Sequence, residues 1–187
     1  RSPSRGLGDV YKRQGFFYAP LVITGLHHMF LAVDFQLMGS SLKGTYLWPI
    51  VAISNICQGS AAFGAWLIYK RRKMAKEEGL ALTSGVSAFL GVTEPAMFGV
   101  NLPLKVPFFA AICTSGILGA VIGANRVLGN VGVGGVPAFI SIQSKYWYIY
   151  IPVILLAMIL PAVLTMIFSK FTKIKAKEMV ENPDDIK

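Results

Sequence analysis

Long apolar stretches alternate with short polar ones along the chain, and the breaks between them are sharp. Phe16 to Met38 is apolar apart from His27, His28, Asp34 and Gln36. Tyr46 to Tyr69 follows, with Asn55 and Gln58 near its centre, and it stops at Lys70-Arg71-Arg72-Lys73. A polar loop is expected from there to about Gly79. Pro107 opens another apolar stretch that reaches about Leu128, and the last one runs from Trp147 to Phe168. About 20 apolar residues suffice to cross a bilayer as a helix. These four stretches are therefore predicted as transmembrane helices. Pro107 suits a first helical position, and Pro152 and Pro161 are expected to kink the last helix. The glycines between Gly129 and Gly135 predict a loop or broken segment.

Leu80 to Val106 is different. It is apolar but interrupted by Glu94, Pro95, Gly99, Asn101, Pro103 and Lys105. This pattern predicts a re-entrant hairpin with its tip near Glu94-Pro95, because irregular backbone at membrane depth is tolerated where it lines a cavity. Charge gives an independent test. Five basic residues lie between Lys70 and Lys76 and four between Lys170 and Lys177, whereas only Lys43, Arg126 and Lys145 fall near the opposite ends. The positive-inside rule puts both clusters in the cytoplasm. That is consistent if Leu80 to Val106 leaves and returns on one side, and a full crossing there would put the lysine-rich tail outside. Tyr46 and Trp48 at one span start, and Tyr146, Trp147 and Tyr148 at another, fit interfacial aromatic belts.

Composition agrees with a membrane protein of the all-α class. Hydrophobic residues make up 54% of the chain, charged residues 14%, and the mean hydropathy is +0.57. Soluble domains carry about 25% charged residues. A net charge of +9 suggests nucleic acid only until its placement is considered. The basic residues flank apolar spans, so no nucleic-acid partner is expected and the lipid bilayer is. Residues 1–14 are polar and basic, without helical period, and read as a cloning or assembly segment. Residues 15–173 form the expected membrane part and 174–187 a tail. Cys57 and Cys113 have neither metal nor disulfide spacing, and both are expected to be small buried hydrophobes.

The candidate chemistry is concentrated in few residues. From Gly15 to Phe168 the chain has four carboxylates, and Glu77 and Glu78 belong to the charged region, which leaves Asp34 and Glu94 in apolar context. A charge in a membrane span is costly, by about 3 kcal/mol or more, and usually serves a polar solute. His27 and His28 are the only histidines. Each group has a plainer alternative. A histidine can bond a neighbouring backbone carbonyl, Glu94 can pair with Lys105, and Asp34 can lie at the outer interface. Taken together with Thr93, Asn55, Gln58 and Asn101, they suit a polyhydroxylated sugar, since carboxylate, imidazole and amide all offer directional bonds to hydroxyls. Adjacent histidines point about 100° apart on a helix, and no cluster with zinc spacing occurs. No metal and no cofactor are expected, and hydrolase, P-loop and dinucleotide motifs are absent.

The segment Gly91-Val92-Thr93-Glu94-Pro95-Ala96-Met97-Phe98-Gly99-Val100-Asn101-Leu102 resembles the Glu-Pro signature of enzyme IIC. Enzyme IIC is the membrane-embedded sugar permease of the bacterial phosphoenolpyruvate-dependent phosphotransferase system. Gly25-Leu26-His27-His28 resembles the histidine-pair motif of its glucose/sucrose-type branch, and the likeness runs from Gly15 to about Lys173. Val33–Ser40, Leu47–Ala61 and Val131–Trp147 look most like the trehalose permeases, with the sucrose permeases sharing both motifs. The resemblance implies transport of a disaccharide coupled to its phosphorylation by a phosphocysteine on the enzyme IIB domain, with trehalose 6-phosphate as product for trehalose. It implies a catalytic and binding role for Glu94 and for the His27-His28 pair. It further implies enzyme IIA, HPr and enzyme I upstream, a homodimer for the full-length protein, a bacterial cell-membrane location and a cytoplasmic C-terminal tail. The family's permease has more membrane segments than this chain. The chain is thus expected to be the C-terminal, substrate-site half of a permease, inactive alone. A secondary transporter with proton-relay groups and a non-catalytic membrane scaffold are the competing classes.

Overall fold

The structure, a computed structural model, describes residues 44–130, 132 and 134–171. The leader 1–14, the stretch Phe16–Met38 with His27, His28 and Asp34, and the tail 174–187 lie outside the described residues. What is described is mostly helical, joined by turns and loops, with isolated β-bridges at Thr45, Gly129 and Ile142.

Helix α1 spans Leu47–Arg71. Its 25 residues reach about 37 Å at about 1.5 Å per residue, enough to cross a bilayer. It is the central element, packing on α2 (Ala75–Phe89), α5 (Val106–Ala124) and α6 (Trp147–Phe171). Small residues make this possible. A Cβ at Gly59 would lie 3.0 Å from the Gly85 carbonyl of α2, and one at Gly64 would lie 2.9 Å from the Ala162 carbonyl of α6. Such close backbone approach is how helices associate in lipid, where tails are as apolar as leucine. The main core joins Ile50, Ile53 and Ile56 of α1 with Leu118 and Ile122 of α5 and Tyr150 of α6.

Helices α1, α5 and α6 are each long and apolar enough to cross a membrane. Pro152 and Pro161 lie inside α6, which runs unbroken through both. One face of α6 is exposed and wholly apolar, with Ile151, Leu155, Leu156, Ile159 and Val163 along it.

Between α1 and α5 the chain folds into a helical hairpin. Its descending arm is α2. The expected polar loop to Gly79 is not seen. Helix α2 starts at Ala75, because Glu78 turns back to accept a 3.3 Å bond from Trp66 Nε1 of α1, while Lys70 lies 5.1 Å over the same ring. The returning arm comprises α3 (Glu94–Ala96), a π-helical turn (Met97–Asn101) and α4 (Leu102–Leu104). Lys105 then takes φ +60° and opens α5. Helix α5 ends at Ala124, four residues short of the expected Leu128. Cys57 is buried as expected, but Cys113 is exposed. It continues the Phe109, Ile117 and Val121 stripe on the outer face of α5, where residues four apart align.

Candidate functional site at the hairpin tip

The hairpin reverses at Leu90–Thr93 rather than on Glu94-Pro95, which begin the returning arm. Helix α2 stops because Gly91 takes φ +106°, a conformation that side chains with a Cβ rarely adopt. Ser87 fastens the turn. Its carbonyl accepts the Val92 N–H at 3.0 Å, and its hydroxyl donates to the Val92 carbonyl at 3.1 Å. The Thr93 carbonyl accepts the Met97 N–H at 2.8 Å and so starts the next helical turn. Pro95 fits there because the first turn of a helix needs no donor from it.

This turn splits its side chains. Thr93 is buried, whereas Glu94 and Pro95 are exposed. Around Glu94 the exposed neighbours in sequence are apolar, namely Leu90, Val92 and Phe98. Among the described residues no cation pairs with Glu94, and Lys105 stands at the far end of the returning arm. The tip thus presents a single carboxylate from an apolar rim.

Glycines bring a third element to the tip. Atoms at Gly91 and Gly134 approach so closely that a Cβ on Gly91 would lie 2.9 Å from the Gly134 Cα. Gly135, with φ +68°, sits against the Phe89 carbonyl and the Gly91 amide. Gly134 and Gly135 are therefore backbone partners of the hairpin, and before them the Gly129 carbonyl accepts the Thr45 N–H at 2.8 Å. Asn55 of α1 completes the junction, donating Nδ2 to the Gly91 carbonyl at a long 3.5 Å. The end of α2 is also fixed by stacking of Phe63 on Phe89, centroids 5.1 Å apart.

Gln58 and Asn101 meet each other. Both side chains are buried, with Asn101 Nδ2 donating to the Gln58 backbone carbonyl at 2.9 Å and to Gln58 Oε1 at 2.7 Å. Gln58 Nε2 and Asn101 Oδ1 are buried without partners among the described residues. Of the residues expected in a sugar site, Thr93, Glu94 and Asn55 come together at the tip. Gln58 and Asn101 pair one layer inward, and His27, His28 and Asp34 lie outside the described residues. Among the described residues no three metal-ligating side chains converge. Sequence reasoning missed Gly134 and Gly135 as parts of the site. Their only signal was the density of glycine, which does not name the partner that demands it.

Residues 14–116 match the family described as the phosphotransferase system, EIIC. Over 158 residues the chain is 51% identical to the trehalose-specific EIIBC component of the phosphotransferase system of Bacillus subtilis (strain 168), covering 84% of this chain and 33% of that protein. With the trehalose-specific EIIBC component of Escherichia coli (strain K12) it shares 47% identity over 152 residues, 81% of this chain and 31% of the other. The sucrose-specific EIIBC component of Staphylococcus xylosus is 50% identical over 141 residues, 73% of this chain and 29% of the other. The chain spans about a third of the length of these curated relatives. No solved structure matches it.

Proposed function

The chain belongs to the EIIC family of the phosphotransferase system, and from that membership we propose that it forms the sugar-site half of a disaccharide permease. Its sugar is trehalose, carried across the membrane and converted to trehalose 6-phosphate. The trehalose assignment draws on the two trehalose-specific relatives at 51% and 47% identity. Sucrose is the second reading, favoured by a sucrose-specific relative at 50% identity over a shorter stretch.

The observation that carries the site is the exposed Glu94 carboxylate, without a cation partner among the described residues, at a glycine-clamped hairpin tip in a chain of span-length apolar helices. Such a carboxylate is suited to a sugar hydroxyl, which it can accept a bond from and orient. In the proposed reaction the acceptor hydroxyl oxygen of the sugar attacks phosphorus of a phosphocysteine on the IIB domain. The O–P bond forms, the P–S bond breaks, and Glu94 holds the hydroxyl and takes its proton. Phosphoryl transfer depends chiefly on positioning and on charge stabilisation, so a fixed carboxylate is a sufficient protein contribution at the acceptor. Thr93, Asn55, Asp34 and one of His27 and His28 complete the proposed sugar contacts. The phosphoryl group reaches IIB from enzyme I through HPr and enzyme IIA. The full-length protein is a homodimer in the bacterial cell membrane. Both lysine-rich clusters, and with them the C-terminal tail, face the cytoplasm, and the hairpin enters from that side.

The test uses the full-length permease with its IIB domain in a host lacking its own sugar permeases. Phosphoenolpyruvate-dependent phosphorylation of trehalose and sucrose is assayed side by side. Trehalose 6-phosphate alone is the expected product. Sucrose 6-phosphate moves the specificity to the second reading, and neither product from inserted protein overturns the function. Uptake that survives collapse of the proton gradient but stops without phosphoenolpyruvate separates this reading from a secondary transporter.

A further inference from the structure

We infer that Gln58 and Asn101 are positioning residues for Glu94, forming a buried clasp that sets the register of the returning arm. The inference rests on the role proposed above for Glu94. The arm is one continuous helical run from Thr93. Met97 N–H bonds the Thr93 carbonyl at 2.8 Å, and Leu102 N–H bonds the Met97 carbonyl five residues back. Glu94 near its start and Asn101 near its end therefore move as one body.

The clasp is made by one donor and two acceptors, while Gln58 Nε2 and Asn101 Oδ1 are buried without partners among the described residues. Both oxygen acceptors are on Gln58, and both bonds are donated by one nitrogen, Asn101 Nδ2. Asn101 is 0% and Gln58 1% exposed. Rotating or sliding the arm by one residue would leave these amides buried and unbonded, a state that polar groups in apolar surroundings strongly disfavour. The π-helical turn is what makes the meeting possible. It contains one residue more than an α turn, and removing that residue would swing Asn101 about 100° away from α1. Pro103 favours the wide turn, since in α geometry its ring would press on the carbonyl four residues back, that of Gly99.

Two points on one face of α1 then bracket the carboxylate. Asn55 and Gln58 are three residues apart and so share a face. Asn55 reaches the Gly91 carbonyl before Glu94, and Gln58 holds Asn101 after it. The glycine contact fixes the tip and the clasp fixes the arm. Because α1 also carries the main core, Glu94 is referred to the element on which the rest of the fold packs. Sub-ångström placement of this kind governs rate, since a misplacement of about 1 Å can cost about a hundredfold.

The test is a double-mutant cycle in the full-length protein, read per inserted molecule both as kcat/KM for trehalose phosphorylation and as equilibrium trehalose binding. Asn101→Ala is expected to lower kcat/KM by about tenfold or more. In a Glu94→Asp background the same change is expected to add less than about twofold, because residues acting as one unit are not additive. If phosphorylation in that background is too weak, the cycle is read in binding. Additive losses would make Asn101 an independent contact, and unchanged kinetics of Asn101→Ala would remove its role. Either result overturns the inference while leaving Glu94 in place. Normal activity of Glu94→Gln instead overturns the site reading itself. Should Asn101→Ala fail to insert, Gln58→Leu runs the same cycle. Of the two bonded acceptors it removes Oε1 and keeps the backbone carbonyl, and a smaller loss of about threefold that disappears with Glu94→Asp is expected.

Discussion

The Ser60 hydroxyl of α1 stands inside the hydrogen-bond ladder of α6, between Met158 and Ala162. Ser60 Oγ donates to the Met158 carbonyl at 2.7 Å and accepts the Ala162 N–H at 3.1 Å. In an uninterrupted α-helix these two backbone groups would bond each other. Pro161 explains why they do not, since its ring crowds the preceding turn and it supplies no donor. A side chain from the neighbouring helix has taken the place of the lost contact, which is one of the few identifiable causes of a local helix distortion. Proline in α6 is thus accommodated by α1 rather than by a break.

Ser60→Ala removes this bridge and leaves two backbone groups of α6 without their partner. The expected loss is about 1–2 kcal/mol, read as a lower thermal unfolding midpoint of the purified full-length protein. A midpoint equal to that of the parent would mean that α6 closes its own ladder once the hydroxyl is gone.

One turn further along α1, Gly64 meets the same segment. Its missing Cβ would lie 2.9 Å from the Ala162 carbonyl oxygen and 3.0 Å from Ala162 Cα. These are backbone atoms and yield little. Gly64→Ala is expected to separate α1 from α6 and to destabilise by about 1–3 kcal/mol, despite the better helix propensity of alanine. A stability gain in the same unfolding assay would show that the two helices are not in the close contact described.

Gly91→Ala should be worse for function than for insertion. The residue has φ +106°, and a Cβ there would also strike Gly134 at 2.9 Å. The contact between tip and glycine loop opens, and Glu94 loses one of its two fixed points. We expect a fall in trehalose phosphorylation of about tenfold or more with the amount of inserted protein nearly unchanged. Equal losses of both would reduce Gly91 to a folding residue.

Glu94→Gln preserves shape and removes charge at an exposed position. Insertion and stability are expected to stay near those of the parent, since surface changes usually fall within about 0.5 kcal/mol, while sugar phosphorylation is lost. Normal uptake by this variant would refute the proposed site.

Much of the architecture was legible because membrane burial depends on composition, which is local in sequence. The span Tyr46–Tyr69 differs from α1 by two residues or fewer at each end, and the last span differs from α6 only in its C-terminal limit. Glycine and proline around Glu94 also marked the hairpin. The start of α2 was not legible. Lys70 to Gly79 reads as loop by polarity, and only the bond from Trp66 to Glu78 across two helices reveals why it is helical.

By itself the sequence determined the class, the long helices, the hairpin and the residues with chemistry to offer, because hydropathy, charge and breaker residues act over a few positions. Only the tertiary structure decided what those residues do to one another. Asn55 and Gln58 look equivalent in the sequence, two amides in one apolar span. Folding sends one to the Gly91 carbonyl and the other to Asn101. Gly134 meets Gly91 from far along the chain, Asn101 meets Gln58 across 43 residues, and Ser60 enters α6 across 102. Contacts between distant segments follow from which backbones can approach closely and which buried polar groups must find partners, and neither condition is written at any one position.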